Sequence, residues 1–196
     1  VIRNVPYLES NPVTAQTENY ILYQGALNMG RGLEPLMEAM AGIDSVLYIA
    51  GEGDLSAELR QFANSLPHKD KIRFLGYIRP NELRLYTAKA KIGVNLVEHL
   101  GLSYYYSLSN KFFDYIHAGI PQVTMNFPEY KRLNDKHEVA LLIDKPDSHL
   151  ISNAINTLLQ DETKYQQLKH NAAVAKNTLN WQEESKVLLN IYQGIE

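Results

Sequence analysis

Lys111 and Asp114 lie three residues apart in the stretch Tyr104–Val123, YYYSLSNKFFDYIHAGIPQV. An ammonium is a partner for an anion, and a carboxylate one helical turn away can accept hydrogen bonds from sugar hydroxyls. The apolar spacing after Asn110 predicts a helix that stops at Gly119, with Ile120-Pro121-Gln122-Val123 leading into a strand. Ser107 or Ser109 stands where a helix cap belongs. The first helical N–H groups would then face out of the loop with the positive end of the dipole behind them. With Lys111 beside them they make a phosphate site, and the stretch reads as a seat for a nucleotide diphosphate. A capped helix next to a solvated lysine satisfies the same pattern without a ligand.

These groups work together only if the chain delivers the loop to one edge of a larger frame. Tyr20–Gln24 reads as an apolar strand ending at Gly25, followed by a loop to Gly32 and a helix carrying Leu33, Leu36, Met37 and Met40 on one face. Pro35 is tolerable there only in the first turn. The second unit is a strand Ser45–Ala50, the turn Gly51-Glu52-Gly53-Asp54 and a helix through Ser65. The third is a strand Lys71–Leu75, then Gly76 and a helix from Pro80 to about Ala90. Ile92–Val97, nearly all apolar, is expected to be buried on both faces. After the helix from Asn110 come a strand at Gln122–Met125, a helical piece around Tyr130 and a strand at Ala140–Ile143. Asp147 caps the next helix, and helical segments at about 162–178 and 181–193 follow.

Alternation at this spacing predicts an α/β fold, a doubly wound, Rossmann-like parallel sheet with helices on both faces. Its ligands sit at the carboxyl ends of the strands. The loops holding Gly25, Gly51, Gly53 and Gly76 would share that edge with Tyr104–Lys111. Residues 1–18 carry two prolines and read as a linker or extended lead-in, leaving 19–196 as one domain.

The totals narrow the choice of partner. With 196 residues, 45% hydrophobic and 21% charged, the chain has the balance of an ordinary globular domain. A net charge of -3 gives no electrostatic case for nucleic acid. Absence of cysteine removes disulfides and thiolate metal sites. No apolar run approaches the roughly 20 residues that span a bilayer. The chain starts at Val1 and reads as a piece of a longer one.

Gly51-x-Gly53-x-x-Ser56 has part of a dinucleotide fingerprint, but it lies in the second strand–helix unit and strand 71–77 ends without a ribose-holding acid. A tight turn explains it better than a nicotinamide cofactor. Arg31 in the loop GALNMGRG could grip a diphosphate through two hydrogen bonds, or simply be solvated. Six histidines lack ligand spacing and no Asp-x-Asp pair is present, so no metal is expected. His117 reads as a packed or partly exposed residue rather than a catalytic one. There is no Gly-x-Ser-x-Gly elbow and no Walker loop.

Taken in order, the motifs resemble the carboxy-terminal half of a GT-B glycosyltransferase of the retaining family-four group, many of whose members build surface polysaccharides. Asn4-Val5-Pro6 looks like the interdomain hinge, and Tyr23-Gln24-Gly25 through Arg31-Gly32 like the first glycine loop. Tyr48–Gly53 and Ile72–Ile78 are similar to the second and third strand ends. Ser109–Tyr115 through Ala118–Pro121 is similar to the donor signature, and Trp181-Gln182-Glu183 to the start of the last helix.

The resemblance implies a UDP- or GDP-linked sugar as donor, no metal, and transfer to a glycan or lipid acceptor held by an upstream half. By itself this piece would transfer nothing. Arg31 and Lys111, with the N–H groups of Ser109 and Asn110, would neutralise the diphosphate. Tyr77 and Ile78 would frame the base, with Glu82 nearby, and Asp114 would hold the ribose in place of the family's second glutamate. Gly25, Gly51, Gly53, Tyr106 and Leu108 complete the substrate-binding set. Ala26 stands where the family has an arginine and Tyr106 where it has its first glutamate, and Lys111 is expected to replace the lost cation. The full enzyme is expected in the cytoplasm, at the inner face of the membrane. A sugar-nucleotide epimerase half-domain and a non-catalytic nucleotide- or sugar-binding module are the competing readings. A receiver-type signalling domain would need an acidic cluster at the end of Tyr20–Gly25, which has none.

Overall fold

The computed structural model of the protein describes residues 2–9 and 15–194. Among these, six parallel strands form one sheet in the order β3-β2-β1-β4-β5-β6. They are β1 (Tyr20–Gln24), β2 (Val46–Ala50), β3 (Ile72–Gly76), β4 (Ile92–Asn95), β5 (Gln122–Met125) and β6 (Ala140–Ile143). The chain winds outward from β1 to β3, then crosses back to β4 on the other side of β1. Between β1 and β4 the connections part in opposite directions, which opens a crevice at the carboxyl ends of the strands.

Every residue of β1 and β4 is buried, as a strand covered on both faces requires. Side chains alternate across β1. Tyr20 and Leu22 join a cluster with Ala90, Tyr115 and Ile120, and Ile21 and Tyr23 join the larger core with Leu36, Met37 and Ile151. The β1–β4 ladder is short, pairing only Ile21 with Ile92 and Leu22 with Gly93. Tyr115 reinforces it. Its hydroxyl lies 3.1 Å from the carbonyl oxygen of Leu22 and 3.2 Å from that of Val94, so one proton is shared between the two strands. The ring lies flat on Gly93, where a Cβ would stand 2.6 Å from the ring carbons.

Helices cover both faces. α1 (Leu33–Ala39) and α2 (Ser56–Ser65) follow β1 and β2, and α3 (Pro80–Lys89) makes the crossover. A single turn, α4 (Leu102–Tyr105), and then α5 (Asn110–Ala118) link β4 to β5, and α6 (Pro128–His137) links β5 to β6. α7 (Ser148–Gln160) packs on α1, α8 (Glu162–Ala175) packs on α5, and α9 (Trp181–Gln193) ends the described chain. Asp147 caps α7 as expected, accepting from the N–H groups of His149 and Leu150. Gly119 ends α5 at φ 69, a left-handed position that suits glycine.

The sequence reading overran in places. Leu96 and Val97 are buried but lie beyond β4, and α8 stops at Ala175. The stretch before α5, expected to be plain loop, contains α4. The lead-in is not free where it is described. Val5 is only 7% exposed, the Trp181 N–H donates to the Pro6 carbonyl at 2.9 Å, and Arg3 pairs with Glu184 at 2.5 Å. Residues 1 and 10–14 of that expected linker lie outside the described part. No helix among the described residues is long and apolar enough to cross a membrane.

Candidate functional site

Parallel pairing brings the ends of β1, β2 and β3 to one rim. The Gly25 N–H donates to Ala50 O at 2.9 Å and the Gly51 N–H to Gly76 O at 2.8 Å. A Cβ on Gly51 would overlap the Gly25 carbonyl, and one on Gly53 would overlap the Asn28 side chain. Gly51 and Gly53 therefore let the second loop press against the first. Across the crevice, the Gly32 N–H donates to Glu98 Oε1 at 3.1 Å and the Glu98 N–H to Gly30 O at 2.9 Å. This clasp binds the loop after β1 to the loop after β4. Glu98 was not singled out from the sequence.

α5 begins at this rim. Ser109 occupies the N-cap position but does not cap, because its hydroxyl donates to Asn95 Oδ1 at 2.9 Å; the Ser107 hydroxyl donates to Tyr104 O at 2.7 Å. The expected serine cap is thus absent, drawn off by a buried asparagine fourteen positions earlier. The Ser109 N–H is also engaged, donating to the Tyr130 hydroxyl at 3.0 Å. Among the described residues the N–H groups of Asn110 and Lys111 meet no protein acceptor, and they carry the positive end of the helix dipole. The Asn110 side chain accepts from Asn4 Nδ2 at 3.0 Å.

Arg31 and Lys111 share this rim. The Lys111 ammonium sits 3.8 Å from the centre of the Tyr23 ring, and the Arg31 guanidinium lies 5.6 Å from that of Tyr104. Burial, then the charge of Arg31, push the Lys111 ammonium down to about 7, with Asp114 pulling the other way. Two cations confined in so small a space repel each other until an anion arrives.

Asp114, one turn further along α5, reaches toward the end of β1. Gln24 Nε2 donates to its Oδ2 at 2.9 Å, while Gln24 Oε1 accepts from the Thr87 hydroxyl at 2.8 Å. Burial raises the Asp114 carboxyl to about 6, against the lowering effects of Gln24, Arg84 and Lys111. It lines a cavity of about 250 Å³ with Pro80, Leu83, Arg84, Thr87 and His117, and an Arg84–Glu9 ion pair joins two of the lining residues. Gln24 was read only as the last residue of an apolar strand. Thr87 and Arg84 carried no signal in the sequence.

The other expected residues scatter more widely. Ile78 packs against the cluster of Tyr20, Leu22 and Tyr115, while Tyr77 is 73% exposed. Glu82 is exposed in the first turn of α3 and does not line the cavity. Tyr106, 57% exposed, and Leu108 line a separate hollow with Arg3, Asn4, Phe113 and Glu129. His117 is packed as expected, its Nε2 at 2.8 Å from Leu179 O and its pKa lowered by burial. Among the described residues no three His, Cys, Asp or Glu side chains are grouped to hold a metal ion.

Residues 9–175 match the family model described as glycosyl transferases group 1. The chain belongs to that family. Solved glycosyltransferase structures agree with it in fold. The structure of Anabaena HepE in complex with UDP is 19% identical over 90% of this chain and 49% of its own, with a TM-score of 0.74. Sucrose-phosphate synthase from Thermosynechococcus elongatus is 23% identical over 91% and 45%, with a TM-score of 0.73. WaaG, a glycosyltransferase involved in lipopolysaccharide biosynthesis, is 15% identical over 88% and 46%, with a TM-score of 0.70. The glycosyltransferase chain thus spans about half the length of each, and it has the Rossmann-like fold of one half of these GT-B enzymes. No curated protein matches it in sequence.

Proposed function

We propose that this chain is the donor-binding half of a glycosyltransferase that uses a nucleoside-diphosphate sugar. The observation that carries the reading is the convergence of Lys111, Arg31 and the unoccupied N–H groups of α5 at the β1–β4 crevice, with the Asp114 carboxylate one turn away. The diphosphate would lie against the two cations and the amides of Asn110 and Lys111, the ribose against Asp114, and the base toward Tyr77 and Ile78. As the bond between the sugar and the diphosphate breaks, negative charge grows on the leaving oxygen, and preplaced donors stabilise it most at that moment. In this reading Lys111 and Arg31 act on the leaving group. Ser109 would contribute position rather than its amide, which Tyr130 already holds.

Uridine is the favoured base, since HepE is described in complex with UDP and with UDP-glucose. The two cations make a metal unnecessary, and the transfer is of a hexose with retained configuration. The acceptor, a glycan or a lipid, would be met by an upstream half working in the cytoplasm at the membrane face. The chain alone is therefore expected to bind donor but not transfer sugar. Calorimetric titration with UDP and GDP in EDTA tests the proposal. Binding of UDP that is weakened about tenfold or more yet still measurable in Lys111→Ala, and unchanged by added Mg²⁺, is the expected result. Absence of heat with either nucleotide would overturn it.

A further inference from the structure

Tyr23 is fully buried and stands one residue short of the rim, on the face of β1 opposite Asp114 and Gln24. Its hydroxyl donates to the Ala26 carbonyl at 2.7 Å, which fixes both the ring and the turn after Gly25. The ring face receives the Lys111 ammonium. Gly25 leaves room for the approach, since a Cβ there would crowd Lys111 at 3.1 Å from Nζ and 3.3 Å from Cε. Lys111 and Tyr23 come from opposite sides of the β1–β4 crevice, so the contact spans it.

A cation over an aromatic face is held by the ring quadrupole, and more strongly when water is excluded. Lys111 needs such a partner, because it is desolvated and faces a second cation, Arg31, with Asp114 turned away toward Gln24. We propose that Tyr23 is a positioning residue of the diphosphate site, its ring face holding the Lys111 ammonium at the rim where a nucleoside diphosphate is received. The assignment rests on the donor-site reading above.

The test replaces Tyr23 in the 196-residue chain first by phenylalanine and then by increasingly fluorinated phenylalanines, which weaken the ring face without changing its shape. UDP affinity is read by calorimetry at pH 7, and Lys111 ionisation by pH-dependent acylation followed by mass spectrometry. Tyr23→Phe is expected to stay within about threefold of the parent, and full fluorination to weaken UDP binding about tenfold in steps. Lys111 should lose its proton at progressively lower pH across the series. In a Lys111→Met background fluorination should have no effect, because the ring would have nothing to hold. Flat affinity and flat Lys111 reactivity would overturn the proposal, as would equal losses with and without Lys111. If the parent chain bound no UDP, the donor reading would fall and Tyr23 would lose its ligand. The Lys111 titration would still decide whether the ring holds the ammonium.

Discussion

Raising the pH from 7 to 9 should weaken UDP binding by this chain, and Lys111 sets the size of the effect. In the empty site burial and Arg31 hold the Lys111 ammonium near pH 7. A bound diphosphate favours the charged form and moves its titration well above 9. Binding above pH 7 therefore takes up a proton. With the free site half protonated at pH 7 and only about 1% protonated at pH 9, affinity should fall roughly fiftyfold, or about 2.3 kcal/mol. UDP itself changes little in charge over that range, since the last phosphate proton is lost near pH 6. Calorimetry in buffers of different ionisation enthalpy reads the effect twice, as a change in Kd and as proton uptake of about 0.9 per UDP at pH 8. Lys111→Arg should bind with little pH dependence, because a guanidinium does not titrate there. Affinity in the parent chain that is constant from pH 7 to 9, without proton uptake, would refute the reasoning.

The buried charge has a counterpart in stability. The folded state depresses the Lys111 pKa from 10.5 to about 7, so the unfolded chain binds the extra proton between those values and stability rises with pH across that window. Lys111→Met should accordingly raise Tm by a few degrees at pH 6, about 1–2 kcal/mol after allowance for solvent screening, with the gain vanishing near pH 10.5. Asp114→Asn keeps an oxygen for Gln24 but removes the charge. It should weaken UDP about tenfold or more and abolish discrimination against 2′,3′-dideoxy-UDP, measured by competition. Gly93→Ala would drive a methyl into the Tyr115 ring and should cost about 1–3 kcal/mol in urea denaturation.

Much of the frame was legible because it obeys short-range rules. Tyr20–Tyr23 is an apolar run closed by Gln24 and Gly25, and the stripe of Phe112, Phe113 and Ile116 announces α5. What escaped the sequence depends on partners distant along the chain. Ser109 had the right type and place for a cap, yet Asn95 and Tyr130 claim its hydroxyl and its amide. Leu96 and Val97 are as apolar as a strand, but the ladder ends at Asn95 and they join the main core from beyond it. The same limit holds at the site. Lys111 and Asp114 could be read from one helix, whereas the Thr87–Gln24–Asp114 chain joins three elements that only the folded sheet brings together.

The narrow β1–β4 ladder places the sheet's thinnest seam directly beneath the crevice. Two residue pairs, the Lys91 N–H donated to Tyr20 O at 2.9 Å and one tyrosine hydroxyl carry what five pairs carry between β1 and β2. The halves on either side, β1–β3 and β4–β6, stand like the covers of a book with this seam as the spine. A ligand gripped from both covers would act as a clasp on the spine, and deuterium would then enter the Lys91 amide, which donates to Tyr20 O across the seam, more slowly in its presence.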